Sequence, residues 1–114
     1  MPIAWLYRMG YTSHMIEVRE TDEFREWFEG LRDLTAQMRI GIRIRRVSLG
    51  NFGDAKSVGD GLFELRIQYG PGYRVYYARQ GDTVVILLAG GDKSTQRRDI
   101  ERAKALAREL EGGS

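Results

Sequence analysis

The chain has 114 residues, a net charge of +2, and is 42% hydrophobic and 30% charged, which allows one domain with a single core and excludes two ordinary ones. No apolar run approaches the ~20 residues of a membrane span, so no membrane association is expected. The absence of cysteine excludes disulfides and thiolate chemistry and fits a cytoplasmic address, and a lone histidine, His14, argues against a histidine-based metal site or general base.

Residues 1–15, MPIAWLYRMGYTSHM, show no periodicity and lack the ordered basic, apolar and small-residue regions of a signal peptide. Residues 1–14 read as an extension or tag-like segment before a single domain over 15–111. A misread start upstream of Met15 and a genuine extension docking Trp5, Leu6 and Tyr7 are both open. MIEVRET (15–21) alternates as a short first strand. Thr21 supplies an N-cap oxygen, Asp22 and Glu23 suit the first turn, and Phe24, Trp27, Phe28 and Leu31 recur at helical spacing. The spacing predicts an amphipathic helix over 22–33 whose aromatic stripe is core.

TAQMRIGIRIRRVSLGNFGD reads two ways. Ile40, Ile42 and Ile44 alternate as in a strand, yet Ile40, Ile44 and Val47 share one helical face, Met38, Ile42 and Leu49 another, and Arg39, Arg43 and Arg46 a third. A helix over 35–49 makes the more compact hairpin, although Gly41 costs it about 1 kcal/mol relative to alanine. Four glycines in 50–61 predict a loop. Strands follow at 62–69, at 73–79 after GPG, and at 83–89 after QGD, as an antiparallel meander. In the first, Phe63, Leu65, Ile67 and Tyr69 alternate with Glu64, Arg66 and Gln68. VVILL (84–88) suits a central strand covered on both sides. A last helix is expected, with Ser94 or Thr95 as cap, Ile100, Ala103, Ala107 and Leu110 inward, and a stop at Gly112. The fold class is therefore α+β: a small antiparallel sheet, formed by the N-terminal strand and the meander, packed against a two-helix hairpin and a C-terminal helix.

Charge is distributed unevenly along these elements. Residues 16–36 hold seven acids and three bases, a balance of −4, whereas 37–79 hold eight bases and three acids, a balance of +5. Fifteen of the eighteen bases are arginine, the better bidentate ligand for phosphate. Such a basic middle suits an anionic partner, with ordinary surface solubility as the alternative. The phosphate-loop pattern G-x-x-x-x-G-K-[ST] is absent, so a nucleotide site is not expected.

NFGDAKSVGDGLFELRIQYGPGYRVYY (51–77) and LLAGGDKSTQRRDIERAKAL (87–106) resemble the RelE/ParE toxin superfamily, and more narrowly its phage-derived Gp49-like group of HigB-like addiction-module killer proteins. The resemblance spans about residues 15–111. It implies a cytoplasmic toxin encoded beside an antitoxin with a helix-turn-helix DNA-binding domain, a toxin–antitoxin hetero-oligomer, and cleavage of messenger RNA on the ribosome without metal or cofactor. Arg74 falls on the sheet arginine of the family, Arg66 on a basic strand position of the RelE branch, and Lys93 near a basic position after the last strand. Arginine suits a phosphate clamp rather than a base, since its pKa lies above ~12. Lys93 suits a proton donor beside a helix N-terminus. Arg43, Arg46 and Lys56 are candidate RNA contacts, and Tyr73, Tyr76 or Tyr77 candidate base-stacking groups.

The chain also departs from the family pattern. Glu64 stands at a strand position that is basic in the RelE branch, where it acts as base or pairs with Arg66 or Arg74. No tyrosine opens the last helix, which carries Asp99, and no C-terminal histidine is present. A toxin that inhibits a protein target such as DNA gyrase without catalysis, and a relic that only binds its antitoxin, are the rival readings.

Overall fold

Capping decides where the helices begin in the computed structural model, which describes residues 15–112. After strand β1 (Glu17–Glu20), the Thr21 hydroxyl accepts from the Phe24 N–H at 3.0 Å and donates to the Leu88 carbonyl at 2.7 Å. It thereby starts helix α1 (Asp22–Glu29) and fastens that start to the sheet. This helix stops at Gly30, short of the expected residue 33, because Asp33 turns its carboxylate onto the N–H groups of Thr35 and Ala36. Asp33 thus caps helix α2 (Leu34–Ser48). The isoleucine alternation that also fitted a strand resolves as helix: Ile40 is buried, Ile44 half-buried and Ile42 exposed.

Four further strands, β2 (Ala55–Gly59), β3 (Leu62–Ile67), β4 (Tyr73–Gln80) and β5 (Val84–Asp92), join β1 in one sheet of order β1-β5-β4-β3-β2. The α+β class stands, with two corrections to the sheet. Residues 50–61 are not all loop. Asp60 and Gly61, with φ of 57° and 76°, make a two-residue turn with both central φ positive, which folds β2 back on β3. The first strand is not antiparallel to its neighbour. Glu17 faces Val84 in a parallel pair, because the α1–α2 hairpin and the meander carry the chain across the sheet before β5 returns beside β1.

Each face of the sheet has its own core. Phe24, Ile40 and Val47 of the α1–α2 hairpin bury Leu65, Ile67, Val75, Tyr77, Val85 and Leu87. A short 3-10 turn (Lys93–Thr95) leads into helix α3 (Gln96–Gly112), whose Ala103 and Leu106 bury Leu62, Tyr76, Ile86 and Leu88 on the other face. Asp92, rather than Ser94 or Thr95, caps that turn. Leu110, expected inward, is 45% exposed, because an open cavity that it lines with Leu62, Ala78 and Ile86 separates the end of α3 from the sheet. Among the described residues no helix is long and apolar enough to cross a membrane. His14, Trp5, Leu6 and Tyr7 lie outside the described residues, as does the end of the expected flexible GGS.

Candidate functional site

Strand register supplies the first element of a site. Arg66 of β3 stands directly opposite Arg74 of β4, and paired residues of neighbouring strands share a face. That face is the one α3 covers, but α3 reaches only part of it. The uncovered part forms a cleft of about 510 Å³ with Arg66, Arg74 and Lys93 in its lining, closed by the Tyr69–Gly72 turn and by Gln68. No acidic residue lines it. Three bases chosen from separate stretches of sequence therefore meet in one cavity.

Each base is held differently. Arg66 donates from Nε and Nη2 to Oδ1 of Asp54, at 3.0 and 2.7 Å, and Gln68 donates to the other carboxylate oxygen at 3.2 Å. The hydrogen bonds from the Arg66 guanidinium hold the Asp54 carboxyl below the usual aspartate range, and the same pair raises Arg66. Arg74 is only 12% exposed. Its Nη1 donates to the carbonyls of Gly72 and Tyr73 at 3.3 and 3.4 Å, and its Nε lies 3.8 Å from Oε2 of Glu64 with no hydrogen bond of its own. Lys93 is exposed, beside Gly72 at the mouth. The amide that would draw an anion there already has one, since Ser94 N–H donates to Asp92 at 2.8 Å.

Glu64 stands behind this arrangement rather than in it. Its side chain is 3% exposed, it does not line the cleft, and it accepts from Nε2 of Gln96 on α3 at 2.8 Å. Of its two expected roles, the geometry fits the partner of Arg74. Gln96 thus ties α3 to the carboxylate behind Arg74. Thr95, at the end of the 3-10 turn, donates to Asp99 of α3, and Asp99 packs so closely on Gly91 that a β-carbon there would fall 1.8 Å from its Oδ2.

Several expected RNA contacts sit elsewhere. Arg43 turns inward, donating to the carbonyls of Arg66 at 2.5 Å, Phe52 at 3.2 Å and Asp54 at 3.3 Å, and burial lowers its pKa. It is a brace between α2 and the strand that carries Arg66. Tyr73 meets Trp27 edge-on on the opposite face, and Tyr77 stacks on Phe52 and Phe63. Tyr76 is fully buried, which removes it from base stacking. Burial, and then the nearby carboxylates of Glu64 and Asp99, push its phenol far above the usual tyrosine range. Lys56 is exposed on β2, opposite Glu64. Arg46 lines a separate groove along α2. Tyr69 is the aromatic ring that does reach the cleft, its hydroxyl donating to Asp33 at 3.0 Å beneath the Arg39 guanidinium. Asp54, Gln96 and Tyr69 were not singled out in the sequence, because their importance comes from contacts with distant residues. Among the described residues no group of three or more His, Asp or Glu side chains is placed to hold a metal ion.

Comparison with known proteins bears on this geometry. The family model for phage-derived Gp49-like proteins matches residues 22–110. An uncharacterized protein of Haemophilus influenzae is 55% identical over 95 residues, covering 83% of this chain and 96% of the relative. The solved structure of a double arginine-to-alanine mutant of the Escherichia coli toxin RelE in the free state superposes with a TM-score of 0.60, over 77% of this chain and 97% of that one. At 14% identity that likeness is one of fold.

Proposed function

The chain belongs to the phage-derived Gp49-like family, and from that premise we propose that it is the toxin of a type II toxin–antitoxin pair, an endoribonuclease that cuts messenger RNA on the ribosome. The observation that carries this reading is the convergence of Arg66, Arg74 and Lys93 on one acid-free cleft. In cleavage without metal, the RNA's own 2′-hydroxyl gives its proton to solvent water and attacks the adjacent phosphate, negative charge builds on the phosphorane oxygens, and the P–O5′ bond breaks to leave a 2′,3′-cyclic phosphate. Arg74, held by two carbonyls with Glu64 behind it, presents a fixed guanidinium for that charge. Lys93 at the mouth is the donor for the departing 5′-oxygen. Tyr69 offers a ring for the flanking base.

One observation favours a second reading. Among the described residues the cleft lining contains no histidine and no carboxylate to take the 2′-hydroxyl proton, since Glu64 lies behind Arg74. A non-catalytic toxin acting on a protein such as DNA gyrase would need no such group.

Toe-printing of a translating messenger RNA, with growth arrest scored in parallel, decides between them. Wild type should cut in the ribosomal A site. Arg74→Lys keeps a cation beside buried Glu64 but loses the planar guanidinium that the Gly72 and Tyr73 carbonyls hold in place, so cutting should fall at least about 10-fold with the melting temperature retained. Growth arrest without cuts would move the assignment to a protein target, with gyrase supercoiling as the next assay. Neither cuts nor arrest would leave an antitoxin-binding relic.

A further inference from the structure

Helix α2 carries a second apolar row that the core does not use. Leu34, Met38 and Ile42 follow at four-residue spacing and are 73%, 58% and 43% exposed, while Ala36, Ile40 and Val47 on the opposite side are already buried. Met38 and Ile42, with Ile67 from β3, line a groove of about 390 Å³ whose rim carries Arg39 and Arg46. The helix holds four arginines and no acid. Arg43 braces the fold and Arg39 lies over Tyr69, but neither Arg45 nor Arg46 has an acidic partner among the described residues.

We infer that this groove docks an amphipathic segment of a partner protein, one that presents apolar side chains flanked by aspartate or glutamate. The charge argument selects that occupant. An RNA strand would use the arginines but leave three adjacent apolar side chains against a polyanion. Residues 1–14 carry Arg8 and no acid, so they do not supply the complementary charge. In a second copy of the chain, Glu23 of α1 already holds Arg102 at 2.7 Å, and Asp22, Glu26 and Glu29 lie on a helix whose apolar side, Phe24, Trp27 and Phe28, is spent on its own core, so α1 offers acids without the apolar row that the groove needs. The groove and the basic cleft share only Gln68 among their lining residues, so a partner seated here leaves Arg74 and Lys93 open.

The choice of partner rests on the toxin reading, in which the antitoxin, the product of the adjoining gene, brings the segment. The experiment is co-expression and co-purification of the two full-length proteins, followed by titration calorimetry. Wild type should bind. Met38→Glu/Ile42→Glu, on exposed positions that leave the melting temperature unchanged, should weaken binding about 100-fold. Arg45→Glu/Arg46→Glu should weaken it about 10-fold and flatten its salt dependence, whereas Lys93→Ala should bind as wild type. Undiminished binding by Met38→Glu/Ile42→Glu overturns the docking site and leaves the toxin reading intact. Sedimentation showing a wild-type dimer that Met38→Glu/Ile42→Glu dissociates assigns the groove to a second copy and overturns the inference. So does loss of ribosome binding by Arg45→Glu/Arg46→Glu with antitoxin binding kept, which makes the face an RNA surface. If wild type fails to bind the adjoining gene's product, the toxin–antitoxin reading itself falls, and the inference with it.

Discussion

Tyr76 is wholly buried, yet its hydroxyl has no protein hydrogen-bond partner and faces the carboxylates of Glu64 and Asp99. An unmet buried hydroxyl costs stability, so Tyr76→Phe should be neutral or stabilising by up to about 1 kcal/mol at neutral pH. The raised phenol also sets a sign. Stability is fully present below the ordinary tyrosine pKa of ~10 and is lost as pH rises through the higher folded value, because the unfolded chain ionises first. Urea unfolding from pH 8 to 12 should show wild type losing stability above pH ~10, with Tyr76→Phe losing less. A variant that unfolds more easily at pH 7 would show that the hydroxyl is bonded after all. Asp54 carries the opposite sign. Its carboxyl, held low by Arg66, stabilises the fold above the ordinary aspartate range and loses that contribution as pH falls through its folded value. Asp54→Asn should therefore flatten the acid limb of the stability curve, and it should loosen Arg66 at the cleft.

At the scale of elements, the Gly90–Gly91 pair at the end of β5 shows what alternation along a strand does at close quarters. A β-carbon on Gly90 would fall 2.2 Å from the Trp27 ring on one face, and one on Gly91 would strike Asp99 on the other. Gly90→Ala should cost about 1–3 kcal/mol in melting experiments, since it displaces Trp27 and through it Tyr73. An unchanged melting temperature would mean that α1 lifts freely from the sheet. Much of this element level was readable in the sequence. Thr21 capping α1, the apolar run 84–88, buried from Val85 onward, and the alternation that puts Arg66 and Glu64 on one face all follow from local chemistry. Strand β2 was missed because its four neighbouring glycines masked a usable signal, the Asp60–Gly61 dipeptide between apolar positions. The parallel pairing of β1 with β5 had no local signal, since Glu17 and Val84 are joined only by the finished topology. The site divides the same way. Strand alternation put Arg66 beside Glu64 and the family resemblance pointed to Arg74, whereas Asp54 beneath Arg66, Gln96 on Glu64 and the inward turn of Arg43 depend on tertiary contacts.

For the whole molecule, the strand order turns a bias along the sequence into one across space: Glu17 and Glu20 lie on one edge strand, and Lys56 on the other, beside the strand of Arg66. Net charge of only +2 therefore understates the local field at the cleft. The size of that field can be read from salt. Single-stranded RNA releases about 0.7 counterions per phosphate neutralised, so engagement of Arg66, Arg74 and Lys93 together sets a slope of log K against log salt of about −2. Asp54 already neutralises Arg66 at 2.7 Å, and Glu64 stands 3.8 Å from Arg74, so the slope should be shallower than that limit. Lys93, exposed at the mouth, should contribute its full share. Binding of a short RNA oligomer measured between 50 and 300 mM salt should give a slope between about −1 and −2, and Lys93→Ala should reduce it by about 0.7. A slope steeper than about −4 requires more cations than the cleft holds. Arg39, Arg45 and Arg46 would then lie on RNA as well, and the groove along α2 would belong to the nucleic acid rather than to a protein partner.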